Sequence, residues 1–129
     1  MRWIVAAIVS CAAMPLAAQT YPTRNVTLVS SAPPGGSIDA VARLIATDLG
    51  KALGQPVVVE TKAGAGGNIA AEYVAKSAAD GHTMMIASSS TLTTNPHIYN
   101  SLPFDPDKSF VPVFQPTRMN MILTVHPKL

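Results

Sequence analysis

Three short apolar runs, each followed by a polar or glycine-rich turn and the first two then by a helix-like segment, constrain the fold of this chain most. Val26-Thr27-Leu28-Val29-Ser30 is rich in β-branched residues and predicts a strand. Pro56-Val57-Val58-Val59-Glu60 predicts a second. Its continuous apolar run suits a parallel sheet covered on both faces rather than a half-solvated one. Thr83-Met84-Met85-Ile86-Ala87 predicts a third. Between the first two, Ile38, Val41, Ala42, Ile45, Leu49, Ala52 and Leu53 recur at helical spacing. Ser37 is expected as the N-cap, Asp39 sits in the first turn where the helix dipole favours negative charge, and Gly54 stops the helix. Between the second and third, Asn68 is expected as a cap, Ile69, Tyr73, Val74 and Ala78 mark a helical face, and Asp80-Gly81 ends it. The order β-α-β-α-β argues for a parallel α/β sheet with flanking helices. Phe110 to Phe114 and Met119 to Val125 are two further candidate strands.

The first residues read as an address. Arg2 precedes an apolar stretch, Trp3 to Val9, and small residues follow up to Ala17-Ala18. That is the pattern of a secretory signal peptide over residues 1–18, with cleavage expected after Ala18. From Trp3 to Ala18 the stretch carries Ser10 and Pro15 and falls short of the ~20 apolar residues that span a bilayer. Cys11 as a lipid-modified N-terminus is the lesser alternative, because Ile8-Val9-Ser10 makes a poor acceptor context. Residues 19–129 then form one domain without cysteine, held by its apolar core rather than by disulfides. Asn25-Val26-Thr27 matches a glycosylation sequon, read here as the chance start of a strand.

Composition excludes several classes of function. Hydrophobic residues make up 48% and charged residues 12% of the 129, which is inconsistent with a disordered chain. The nine Lys and Arg are scattered singly and the net charge is +2, so no nucleic-acid partner is expected. One Cys and three separated His give no metal-ligand cluster, and no cofactor or metal is expected.

In a parallel sheet the loops after the strand C-terminal ends share one edge, where ligands bind. Here those loops are Ala32–Asp39, Lys62–Asn68 and Ser88–Asn95. The first two are glycine-rich and open helices, so their backbone can approach a ligand closely and offer N–H groups. The third supplies Ser88, Ser89, Ser90 and Thr91 in succession. Together they favour a small anion such as a carboxylate. For a single loop, glycines that merely make the turn would explain the pattern; three such loops on one edge favour binding. Arg43, about one and a half helical turns in from Ser37, reads as part of a solvated face. Lys62 either reaches an anion or is exposed.

Other readings fail on spacing. Gly64-Ala65-Gly66 begins a dinucleotide fingerprint, but Ile69 occupies its last glycine position. Gly50-Lys51 has Ile45 where a phosphate loop needs its first glycine. No G-x-S-x-G elbow appears. Asp39, Asp80 and His82 could serve acid–base chemistry, yet they read as helix-start, turn and strand-edge residues, and no nucleophile–base–orienter set stands out.

These motifs in this order carry a family resemblance. Tyr21-Pro22, Pro34-Gly35-Gly36-Ser37-Ile38-Asp39 with Ala42-Arg43, Leu53-Gly54-Gln55-Pro56-Val57, Gly64-Ala65-Gly66-Gly67-Asn68-Ile69, Asp80-Gly81-His82-Thr83, Asn95-Pro96 and Leu102-Pro103-Phe104-Asp105-Pro106 resemble the Bug family. Its members are bacterial periplasmic solute-binding receptors, also described as the substrate-binding component of tripartite tricarboxylate transporters. The resemblance runs from Tyr21 to about Pro127. It implies the first lobe of a type II periplasmic-binding fold, closing with a second lobe on a small carboxylate-bearing solute. It implies a monomeric periplasmic receptor that delivers its ligand to an inner-membrane permease. By family position Gly35, Gly36, Ser37 and Asp39 would line the first ligand loop. Ser88, Ser89, Ser90, Thr91 and Asn95 would belong to the next, and Gly66, Gly67 and Asn68 are further candidates. Two departures are visible. Ser30-Ser31-Ala32 replaces a more apolar, proline-containing approach to the glycines, which alters the pocket wall, and His82 stands where Tyr is usual. The sequence ends about where a second lobe would begin, so a chain cut short after most of the first lobe is expected. The rival reading is an exported α/β hydrolase acting on a small organic acid.

Overall fold

A computed structural model describes residues 20–118 and 122–128. The predicted signal peptide, residues 1–18, lies outside the described residues, as do Met119 to Met121 of the last predicted strand.

Three parallel strands form the sheet: β1 (Val26–Ser30), β2 (Val57–Thr61) and β3 (Thr83–Ile86), in the order β2-β1-β3. Val26 pairs with Val57 and Thr27 with Thr83, so the strands run in step and end at one edge. Two bonds carry the ladder past that edge: Lys62 N–H donates to the Ser30 carbonyl at 2.9 Å and Ser31 N–H to the Ile86 carbonyl at 3.1 Å. The central place goes to β1, whereas β2, the run expected to be covered on both faces, lies at the edge of the sheet with Val58 49% exposed. Val26 and Val29 are fully buried and Leu28 nearly so.

Helix α1 (Ser37–Leu53) crosses from β1 to β2. It lays Ala42 and Ala46 on Leu28, with Ile45, Val57, Val59, Met84 and Ile86 around them. Its N-cap is Gly36, not Ser37: the helix begins one residue early and Ser37 occupies its first turn, without a side-chain cap. At the other end Gly54 takes the left-handed conformation (φ 66°), which closes the helix as expected. Ala52, predicted on the apolar face, is exposed, and the buried position is Ala46.

A single 3-10 turn (Ala65–Gly67) leads into α2 (Asn68–Ala75). The predicted face of this helix is corrected. Ala70 and Ala71 are fully buried, while Ile69 and Tyr73 stand 48% and 40% exposed. Small side chains let the helix approach the sheet closely, and the large ones turn outward to other tasks. Ile69 covers Gly64, and the Tyr73 ring lies 4.0 Å from the Lys62 ammonium. The helix also ends at Ala75, before Ala78 and Asp80-Gly81.

After β3 the predicted loop Ser88–Asn95 is instead two short helices, α3 (Ser89–Thr93) and α4 (Asn95–Ile98). Ser88 is the cap, its hydroxyl accepting the Ser90 N–H at 3.1 Å. Phe104 is buried edge-on against Phe110 at 5.6 Å. Beyond it, the strands predicted over Phe110–Phe114 and Met119–Val125 are absent among the described residues. A strand exists only in a ladder, and this segment has no neighbouring strand: Val111, Val113 and Leu123 are 89%, 77% and 94% exposed. Among the described residues no helix is long and apolar enough to cross a membrane.

Candidate functional site

Because the strands are parallel and in step, the segments after β1, β2 and β3 leave the sheet side by side. They enclose an open cleft of about 340 Å³. The first segment contributes Ser31, Ala32, Pro33 and Ile38, the second Gly64, Gly66 and Gly67, and the third Ser88, Ser90 and Thr91.

The first loop is shaped by its own polar atoms. The buried Ser30 hydroxyl donates to the Ala32 carbonyl at 3.3 Å and accepts the Ala32 N–H at 3.4 Å. Gly36 N–H donates to the Pro33 carbonyl at 3.2 Å, and Gly35 N–H to Asp39 Oδ2 at 3.0 Å. Both glycine amides expected to face a ligand thus bond within the loop. Asp39 is 3% exposed and also accepts Arg43 Nε at 2.9 Å. The Arg43 guanidinium and then the Gly35 amide hold its carboxyl below the usual carboxylate range, against the opposing effect of burial. Its Oδ1 is buried without a hydrogen-bond partner. Arg43 is largely exposed but not free: the same bond raises its own pKa. The groups left open are at the start of α1. The first i→i−4 bond is donated by Ala40 to Gly36, so helix geometry leaves the N–H groups of Ser37, Ile38 and Asp39 without intrahelical acceptors.

The second loop depends on positive φ at Gly66 (64°) and Gly67 (93°). A Cβ on Gly67 would meet Thr91 Oγ1 at 2.5 Å and Ser31 Cβ at 3.3 Å, so only glycine lets the loop lie against both neighbouring loops. Thr91 Oγ1 donates to the Gly66 carbonyl at 3.1 Å. Asn95 Nδ2 donates to the same carbonyl at 3.0 Å and to Asn68 Oδ1 at 2.6 Å. Thr91, Asn95 and Asn68 are all buried. Lys62 sits on the flank of this loop, where Glu60 at 2.8 Å raises its pKa.

The third segment presents hydroxyls. Ser88 Oγ bonds to Ser90 Oγ as well as capping α3, and Ser89 and Ser90 are exposed. Among the described residues no three His, Cys, Asp or Glu side chains converge as metal ligands would.

Of the predicted site residues, Gly66, Gly67, Ser88, Ser90 and Thr91 line the cleft. Gly35, Gly36, Ser37 and Asp39 build the turn and helix start beside it, and Ser89, Asn68 and Asn95 lie on the elements behind it. Ser31, Ala32, Pro33, Ile38 and Gly64 line it and were not among the predicted contacts. The departure seen at Ser30-Ser31-Ala32 was the signal for the first two. Together the arrangement offers amide and hydroxyl donors, and the nearby cations Arg43 and Lys62 are paired with Asp39 and Glu60. That chemistry can hold a small oxygen-rich anion.

Known proteins agree on what such a chain is. Residues 41–129 match the family described as "Tripartite tricarboxylate transporter family receptor". BugT of Bordetella pertussis is 43% identical over 118 residues, covering 91% of this chain and 36% of that protein. The chain thus spans about a third of the length of the curated relatives it matches. MatC from Rhodopseudomonas palustris with bound malate superposes with a TM-score of 0.68 at 43% identity, covering 72% of this chain and 32% of that one. An R. palustris protein with adipate gives 0.65 at 45% identity, covering 67% and 29%. The periplasmic binding protein BugD gives 0.65 at 38% identity, covering 70% and 30%. These relatives are solute-binding receptors, not enzymes, and the three-stranded parallel sheet is the corresponding part of their fold. The chain belongs to the Bug-type tripartite tricarboxylate transporter receptor family.

Proposed function

We propose that this chain is the ligand-bearing first lobe of a periplasmic receptor for a small carboxylate-bearing metabolite. The observation that carries the reading is the convergence of three loops around one cleft: open first-turn amides of α1, close-packed glycines, and serine hydroxyls. Malate and adipate in two solved relatives are dicarboxylates, which supports the same ligand class here. Residues 1–18 act as the signal peptide that exports it, and the periplasmic relatives support that location. Residues 19–129 are lobe 1.

A second lobe completes the cleft, for an energetic reason. Micromolar affinity corresponds to about −8 kcal/mol. Four hydrogen bonds from one rim supply roughly 1 kcal/mol each. Association itself costs ~4 kcal/mol or more. One lobe therefore holds the acid weakly, and closure of two lobes supplies the remainder and signals occupancy to an inner-membrane permease. The receptor works as a monomer and returns its ligand unchanged.

A thermal-shift screen of the complete receptor against dicarboxylates, tricarboxylates, amino acids and aromatic acids tests this reading. A stabilising carboxylate, recovered intact by mass spectrometry, is the expected result. A converted product would establish an enzyme instead. A screen in which no carboxylate stabilises the protein would end the proposal.

A further inference from the structure

The hydroxyl of Thr91 and the amide of Asn95 were read from the sequence as ligand contacts, but their hydrogens point elsewhere. Both go to one acceptor, the Gly66 carbonyl, across 25 and 29 residues of chain. Two donors occupy both lone pairs of that oxygen. The remaining Asn95 Nδ2 hydrogen is spent on Asn68 Oδ1, at the start of α2. Thr91 is 1% and Asn95 6% exposed, so water does not compete for these bonds. In such surroundings an unmet carbonyl is costly, and the cluster holds only when every member is satisfied. The cluster sits where a loop most needs external support. Gly66 and Gly67 have positive φ, a region in which glycine is free to move, and their backbone faces the cleft.

We propose that Thr91 and Asn95 are positioning residues, which clamp the Gly66 carbonyl and hold the cleft-facing backbone of the second loop in its ligand-receiving shape. The clamp crosses from α3 and α4 to the turn before α2, so the second and third loops move as one body. This inference rests on the binding reading above, and one arm of its test does not.

The test uses Thr91→Val and Thr91→Ser in the full receptor chain. In the ligand-free arm, hydrogen exchange is followed by mass spectrometry across residues 62–68. Thr91→Val should speed exchange there at least tenfold, leave β1 unchanged, and be rescued by Thr91→Ser, which keeps the hydroxyl. Unchanged exchange overturns the clamp. In the second arm, calorimetry uses malate and adipate. With either acid that the wild type binds, Thr91→Val should raise Kd about tenfold at an unchanged stoichiometry of one. A lower stoichiometry at unchanged Kd means a merely structural role and overturns the proposal. If the wild type binds neither acid while the loop still loosens, the clamp stands and the choice of ligand class falls. Should Thr91→Val fail to fold, Asn95→Ala removes the other donor and is read by the same two criteria.

Discussion

The two ends of the sheet use similar polar groups to opposite effect. At the amino end the chain closes on itself. Tyr21 stacks edge-on against His82 at 5.1 Å, and its hydroxyl donates to the Gly81 carbonyl at 2.7 Å. His82 is buried, its Nε2 accepts the Thr23 N–H at 3.2 Å, and Nδ1 lies 3.2 Å from the Asp80 carbonyl. The bond to Nε2 assigns the proton to Nδ1. Arg24 pairs with Asp80 at 2.9 Å. The contacts made by Tyr21, Thr23 and Arg24 join the segment before β1 to the turn before β3. At the carboxyl end, bonds of equal quality also cross between loops, yet they stop short of closure and leave helix amides and serine hydroxyls facing a cleft. The difference shows how a sheet can be fastened at one end and left open around a cleft at the other.

The strongest way to break the comparison is to damage the open end. Gly67→Ala combines a positive φ with a Cβ 2.5 Å from Thr91 Oγ1. It should cost about 2–4 kcal/mol, from backbone strain and overpacking together. Gly54→Ala has a positive φ but nothing within 4 Å, and should cost only about 1 kcal/mol. Equal denaturation midpoints for the two variants would remove crowding from the argument.

Damage to the closed end should lower stability and leave binding alone. His82→Ala removes the ring under Tyr21 and the acceptor for Thr23, at a cost of about 1–3 kcal/mol. Chemical denaturation measures the loss, and calorimetry should give the wild-type Kd. A weakened Kd would mean that the two ends are coupled.

Smaller again are the rim hydroxyls. Ser31→Ala and Ser90→Ala, at two serines that line the cleft, should each weaken carboxylate binding by about 0.5–1.5 kcal/mol without unfolding the chain. Unchanged affinity in both would remove them from the site.

The smallest effect is confined to acid. Asp80 accepts the His82 N–H and the Arg24 guanidinium, which lower its pKa from 3.8 to about 2. A carboxyl lowered on folding stabilises the protein above its unfolded pKa and loses that contribution as pH falls through the folded value. Stability should therefore drop between about pH 4 and pH 2, and Asp80→Asn should flatten that part of the curve. Asp39 is lowered in the same direction at the open end, so Asp39→Asn should flatten it also.

The sequence made the strands legible because β1 and β2 are short runs rich in β-branched residues, and parallel order followed from the helix-like segments between them. It misplaced the face of α2 because Ile69 and Tyr73 outweigh Ala70 and Ala71 in any hydrophobic pattern, whereas close helix–sheet packing selects the alanines. The strands expected after Phe110 are absent among the described residues for a different reason: a run of apolar residues states a capacity to pair, and the partner is a matter of tertiary structure. The candidate site was legible as an edge, since parallel strands deliver their loops together. The division of labour within it was not. Whether Thr91 faces a ligand or the Gly66 carbonyl depends on a contact 25 residues away. Ser37 differs, because its place at the start of α1 follows from local sequence alone.

The central claim is that the carboxyl edge of this sheet receives a small organic acid. A crystal structure of the complete receptor soaked with malate tests it most directly. The account predicts one carboxylate of the acid against the first-turn amides of α1 and the serines of α3, with the Gly66 carbonyl still held by Thr91 and Asn95. Malate seated elsewhere, with that rim unoccupied, would contradict it.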